Sequence, residues 1–131
     1  NVIKEDARAK TVLVTSPEAG DGKTTTIANL AVALAQSGQR ILLVDADLRR
    51  PTVHTLFRIP ADVGLVDVLA GEVEGLNAVR DTFVENLRVL PAGRPPINPA
   101  ELLASPRLPQ LFRAMRDEFD LFWAAERSVP A

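Results

Sequence analysis

The hydrophobic positions of this chain fall into blocks whose period changes along its length. Thr11-Val12-Leu13-Val14-Thr15 is short, β-branched and mostly apolar, with turn residues after it, and it reads as a buried strand. From Lys23 to Ser37 the period lengthens. Ile27, Leu30, Ala31, Leu34 and Ala35 fall at helical spacing, and Gly38 supplies the stop. Ile41-Leu42-Leu43-Val44 is a second buried strand, running into Asp45-Ala46-Asp47. Strand, helix and strand within about 35 residues predict a right-handed βαβ unit with parallel strands. A short helical stretch follows at His54 to Phe57, and helix-prone Leu65 to Leu69 is closed by Gly71. Leu87 to Leu90 predicts a third strand, stopped by Pro91.

Six of the ten prolines lie between Pro91 and Pro109, which marks a surface loop carrying helix starts. Pro99 and Pro106 suit first-turn positions, with Asn98 and Ser105 as N-caps. Beyond them Leu108, Leu111, Phe112, Met115 and Phe119 form one apolar face of a final helix, a stripe suited to core packing.

Length and composition narrow the classes. A chain of 131 residues predicts one domain, spanning residues 1–131, with enough length for a core. Apolar residues at 47% against 24% charged exclude a disordered chain. A net charge of -2 offers no basic field, so nucleic acid is not an expected partner. Without cysteine there is no disulfide and no thiolate metal site. No apolar run approaches the roughly 20 residues that span a bilayer, and no signal-peptide pattern opens the chain, so a cytoplasmic protein is expected. The first residue, Asn1, predicts a piece of a longer chain.

The candidate chemistry sits between the first strand and first helix, in the stretch VTSPEAGDGKTTTIANLA, Val14 to Ala31. Gly20 and Gly22 lack side chains, so the backbone can turn tightly and aim its N–H groups at oxygens. The helix start adds unpaired donors and a partial positive charge. Glu18, Ala19, Gly20, Asp21 and Gly22 would cradle phosphate through their backbone. Lys23 would reach the terminal phosphates, Thr24 would bind Mg²⁺, and Thr25 would hold the loop or contact phosphate. Pro17 stands where the usual G-x-x-x-x-G-K-[ST] pattern has its first glycine, so the strict pattern fails. Asp45 and Asp47 lie at the carboxyl end of the second strand, where open α/β sheets place ligands. They can hold metal-bound water or accept a hydroxyl proton. The alternative is a pair of solvated acids in a turn, paired with Arg49 or Arg50, and those arginines can contact phosphate instead.

The segment TSPEAGDGKTTTIANLAVALAQSGQRILLVDADLRRP resembles the bacterial tyrosine kinases (BY-kinases) of capsule and exopolysaccharide synthesis, the CpsD/CapB type. That family has an unusual P-loop and a second acidic motif, here Leu42-Leu43-Val44-Asp45-Ala46-Asp47-Leu48-Arg49-Arg50-Pro51. GLVDVLAGE and NLRVLPAGRPPINPAELLAS are also similar to it, in the same order, so the resemblance covers roughly Thr11 to Asp120. It implies a P-loop NTPase-like α/β fold, a parallel sheet sandwiched by helices and here incomplete. It implies ATP and Mg²⁺ as cofactors, with Lys23, Asp45 and Asp47 catalytic and Thr24, Asp45 and Asp47 serving the metal. Transfer of the γ-phosphate to tyrosine, usually on a neighbouring copy in a homo-oligomer, is the implied reaction. A transmembrane polysaccharide co-polymerase, fused or separate, would activate it at the inner face of the membrane. The competing resemblance is to ParA- and MinD-like ATPases, nucleotide-dependent association switches. Their signature loop lysine is Glu18 here, and a carboxylate repels the phosphate charge an ammonium would stabilise.

Three departures from the kinase pattern carry expectations. After Phe119-Asp120-Leu121 the third acidic motif does not appear, and Ala125 falls where its Asp is expected, so residues 121–131 read as an aberrant tail after a disrupted frame. An interface helix with Glu-x-x-Arg-x-x-Arg would lie upstream of Asn1. The chain has no tyrosine, so it cannot phosphorylate itself on one. A sheet missing later strands predicts marginal stability, weak nucleotide binding with little or no turnover, and exposed apolar surface around Leu108, Leu111, Phe112 and Met115. His54, the one histidine, is assigned no catalytic role, and Trp123 none that the residues support.

Overall fold

The computed structural model describes residues 10–14 and 23–116; the loop at 15–22, Phe119, Trp123 and the tail after Leu121 lie outside them. Four strands form one sheet in the order β1-β2-β4-β3, with β1 at Lys10–Val14, β2 at Ile41–Asp45, β3 at Arg80–Asp81 and β4 at Leu87–Leu90. β1, β2 and β4 run parallel, and β3 pairs antiparallel with β4. The helices are α1 at Lys23–Gln36, α2 at Val53–Phe57, α3 at Leu65–Leu69, α4 at Gly75–Ala78, α5 at Pro99–Leu103 and α6 over residues 107–116.

The unbroken apolar run of β2 follows from burial on both faces. Successive side chains point to opposite sides of a strand. Ile41 and Leu43 join Leu87 and Val89 of β4 beneath α1 and α2. Leu42 and Val44 join Leu90 beneath α3, Leu111 and Met115. All five β2 residues are buried, as parallel sheets covered by helices require.

α1 meets the sheet through Ala28, Ala31 and Ala35, all buried, and these small side chains let the helix lie close. It ends in a glycine stop. Gly38 takes φ +102, its N–H donates to the Ala35 carbonyl, and the N–H of Gln39 donates to that of Leu34; only glycine enters this region freely. Asn86, at φ 70, passes its carbonyl to the Ile41 N–H at 2.8 Å and its side-chain amide to the Ala35 carbonyl at 3.3 Å. The bottom of α1 is thereby tied to β4.

The predicted strands and main helices agree with the structure to within a residue or two. β3 and α4 are additions, both too short to leave a periodic signal. The Pro99 helix forms, with Asn98 at its N-cap position, although the Asn98 side chain caps nothing and instead donates to Glu101 at 3.3 Å. Ser105 does cap, its hydroxyl accepting the Arg107 N–H at 3.1 Å.

One expectation is corrected. Leu111 and Met115 are buried, not exposed, and Leu108 and Phe112 pack against the same core. The cause is that α3, α4, α5 and α6 fold back over the second face of the sheet, so this face is covered without any further strand. Gly75 allows the approach, since a side-chain carbon there would stand 2.8 Å from Leu111 Cδ1. β1 departs from its reading as a buried strand: Thr11 is exposed and Leu13 is 38% exposed, and Val14 is buried.

α3 is held at its start by backbone contact. The N–H groups of Leu65 and Val66 donate to the carbonyls of Pro91 (2.8 Å) and Ala92 (2.9 Å). Asp67 accepts the Gly64 N–H at 2.8 Å. A side-chain carbon at Gly64 would collide with the backbone of Pro91 and Gly93 and lie 2.6 Å from the Ala92 carbonyl carbon. Because those neighbours are backbone, they cannot swing aside.

Three stability outcomes are expected from chemical denaturation. Gly64→Ala destabilises by about 3 kcal/mol or more, an overpacking cost with no side chain to absorb it. Leu43→Ala costs about 2–5 kcal/mol, a cavity under α1, whereas Leu30→Ala, at a position 54% exposed, changes stability by about 0.5 kcal/mol or less.

Candidate functional site

Parallel pairing brings the carboxyl ends of β1 and β2 side by side. Val14 is in register with Asp45, and the Ala46 N–H donates to the Val14 carbonyl at 2.7 Å. The chain leaves β1 at Val14 and re-enters described structure at Lys23, the first residue of α1. The glycine-containing loop is therefore bracketed by a buried strand end and a helix start, next to the acidic end of β2. Of the loop positions, Glu18, Ala19, Gly20, Asp21 and Gly22 lie outside the described residues. Thr24 is half-buried in the first turn of α1 and Thr25 is exposed.

Thr25 faces elsewhere than the acids. It lines a groove of about 630 Å³ with Asn29, Val32, Phe57, Phe83 and Asn86, between α1, α2 and the turn before β4. Phe57 and Phe83 stack at its rim, their centroids 5.8 Å apart. Neither Asp45 nor Asp47 lines this groove.

Asp45 and Asp47 are both buried, and they use their oxygens differently. Asp45 Oδ1 accepts the Asp47 N–H at 3.0 Å. Its Oδ2 accepts the N–H groups of Thr52 at 3.2 Å and Val53 at 3.1 Å. Burial pushes the Asp45 carboxyl above the ordinary aspartate range; these amide donors oppose the shift, and the Asp47 charge adds to it. Asp47 Oδ1 accepts the Arg50 N–H at 3.1 Å. Arg49 and Arg50 are exposed. The Arg50 contact to Asp47 is through its backbone, and among the described residues neither guanidinium pairs with either acid.

The donor set suits a hard cation. Threonine hydroxyl and carboxylate oxygens are Mg²⁺ ligands, and Mg²⁺ keeps several waters and takes only one or two carboxylates. Among the described residues no group of three or more His, Cys, Asp or Glu could cage a metal.

The acids and Lys-Thr pair were legible from sequence. Thr52 and Val53 were not, because they serve through backbone N–H groups seven and eight residues beyond Asp45. Pro51 before them was the available sign of a helix start. Gly64 and Gly93 likewise have a role only where two loops touch. Among the described residues, no helix is long and apolar enough to cross a membrane.

Comparison with known proteins agrees with this geometry. A family model described as an AAA domain matches residues 9–121. Tyrosine-protein kinase YwqD of Bacillus subtilis is 48% identical over 106 residues, covering 81% of this chain and 45% of YwqD. The chain thus spans about half the length of the relative it matches. Among solved structures, the BceF tyrosine kinase domain superposes with a TM-score of 0.70 at 40% identity, over 86% of this chain and 44% of that one. The septum site-determining protein MinD of Pyrococcus horikoshii, complexed with Mg-ADP, gives 0.68 at 30% identity, over 82% and 44%. With a family model matching residues 9–121, the chain belongs to the AAA-domain family, and it is similar in sequence and sheet to bacterial tyrosine-protein kinases.

Proposed function

We propose that this chain is the nucleotide-binding part of a protein-tyrosine kinase domain serving capsule or exopolysaccharide synthesis, and that it binds Mg-ATP at the carboxyl edge of β1 and β2. The observation that carries the reading is the coupling of those two strand ends: Val14 in register with Asp45, and Ala46 bonded back to Val14. It sets the point where the chain leaves β1 beside the strand end that carries the two buried acids.

In this reading the backbone of Glu18 to Gly22 surrounds the phosphates, and Thr25 steadies the loop. Lys23 supplies a point charge to the terminal phosphates, and Thr24 with the acidic end of β2, Asp45-Ala46-Asp47, would hold the metal. When bound, Mg²⁺ would neutralise charge on the phosphates. A carboxylate at this strand end also gives the incoming tyrosine hydroxyl a proton acceptor. The acceptor tyrosine lies outside these 131 residues, which contain none. A homo-oligomer of the longer protein would supply it, and a transmembrane co-polymerase would hold the domain at the inner face of the membrane.

The likeness to MinD supports a second reading, an ATPase switch that acts by association. Glu18 in place of the signature lysine disfavours it. The two part company in one experiment: a switch dimerises on Mg-ATP and leaves an added tyrosine peptide unmodified.

Calorimetric titration is the direct test. MgADP binds the chain, and Lys23→Ala weakens that binding by about 10- to 100-fold, the worth of a charge-assisted contact. Equal affinity of the two proteins would remove the site assignment.

A further inference from the structure

Two acids stand two residues apart at the end of β2, and only one of them has oxygen to offer outward. The Asp45 carboxylate receives three N–H groups, at 3.0, 3.2 and 3.1 Å, and its residue is 0% exposed. Those donors come from both ends of one loop, Asp47 at its start and Thr52 and Val53 at its end. Asp47 receives a single N–H on Oδ1. Among the described residues its carboxylate has no other partner.

We infer that Asp45 is a positioning residue: its carboxylate clamps the loop 46–52 closed and fixes Asp47, which is the acid that meets metal and substrate. This rests on the nucleotide site proposed above. A carboxylate has about four acceptor positions, and Asp45 has directed three inward. Turning it toward a ligand would strand the Thr52 and Val53 amides at a buried helix start, which native structures avoid. The Thr52 side chain, at the N-cap position of α2, makes no capping bond. α2 is itself anchored, with Val53 and Phe57 buried in the core under α1. The clamp therefore connects a rigid element to Asp47 through two hydrogen-bonded ends, and it does so with acceptor geometry, not with charge.

That distinction sets the test. Asp45→Asn keeps an oxygen for Thr52 and Val53 but removes the charge; Asp45→Ala removes every acceptor. Two readouts are taken on the 131-residue chain: amide hydrogen exchange, and ADP affinity with and without Mg²⁺. In Asp45→Ala, exchange at Thr52 and Val53 should rise about tenfold or more, while in Asp45→Asn both stay within about threefold of the parent. The Mg²⁺ enhancement of ADP binding should vanish in Asp47→Asn and Asp45→Ala and persist in Asp45→Asn. Loss of the enhancement in Asp45→Asn as complete as in Asp47→Asn would make the charge at residue 45 a metal partner and overturn the inference. So would an Asp45→Ala chain that melts lower yet keeps the full enhancement, which is the mark of a purely structural role. Should the parent show no Mg²⁺ enhancement at all, the nucleotide reading falls, and unchanged exchange in Asp45→Ala would then dispose of the clamp as well.

Discussion

Strand β2 is paired along both edges and buried on both faces, and most of the molecule is arranged by that constraint. Its odd residues belong to one core and its even residues to the other. Neither α1 nor the α3–α6 layer could cover its own apolar face without it. Full burial of a valine, leucine or isoleucine stabilises by about 1.5–3 kcal/mol, and β2 concentrates four such side chains in a row, Ile41 to Val44. The same burial makes the strand's last residue unusual: Asp45 extends the run of buried positions with a carboxylate.

A carboxylate in that place is costly unless its oxygens are occupied. The fold answers with backbone N–H groups, two of them the orphan donors at the start of α2. Each side meets part of the other's need, the acid offsetting some of its desolvation and the helix gaining a cap. The opposing influences on the Asp45 carboxyl, burial raising its pKa and the amides lowering it, are the electrostatic expression of this exchange. The loop so closed carries Asp47, Arg49 and Arg50 over the carboxyl edge of the sheet, the edge at which open α/β folds receive ligands.

The second layer is built by contact between backbones. The Pro91–Gly93 segment continues from β4 and receives N–H groups from the start of α3. Gly64 and Gly93 are the points of approach. The motifs GLVDVLAGE and PAGRPP, which look unrelated along the chain, are therefore two sides of one joint, and α5 and α6 close over it. A sheet with few strands obtains a covered second face in this way, which is why the stripe of Leu108, Leu111, Phe112 and Met115 packs inward.

How much was legible beforehand divides along physical lines. Periodicity determined β1, α1, β2 and β4, because a strand buried on both faces must be continuously apolar and a half-buried helix must repeat near 3.6 residues. Local chemistry determined the glycine stop at Gly38, the Ser105 cap and the candidacy of Lys23, Thr24, Asp45 and Asp47, because each depends on neighbours a few residues away. Tertiary structure alone decided the rest. The pairing order of the strands, the edge strand β3, the fate of the α6 stripe and the division of work between Asp45 and Asp47 all depend on partners distant in sequence. A carboxylate's role is set by which donors reach it, and the amides of Thr52 and Val53 reach Asp45 only once the chain has folded.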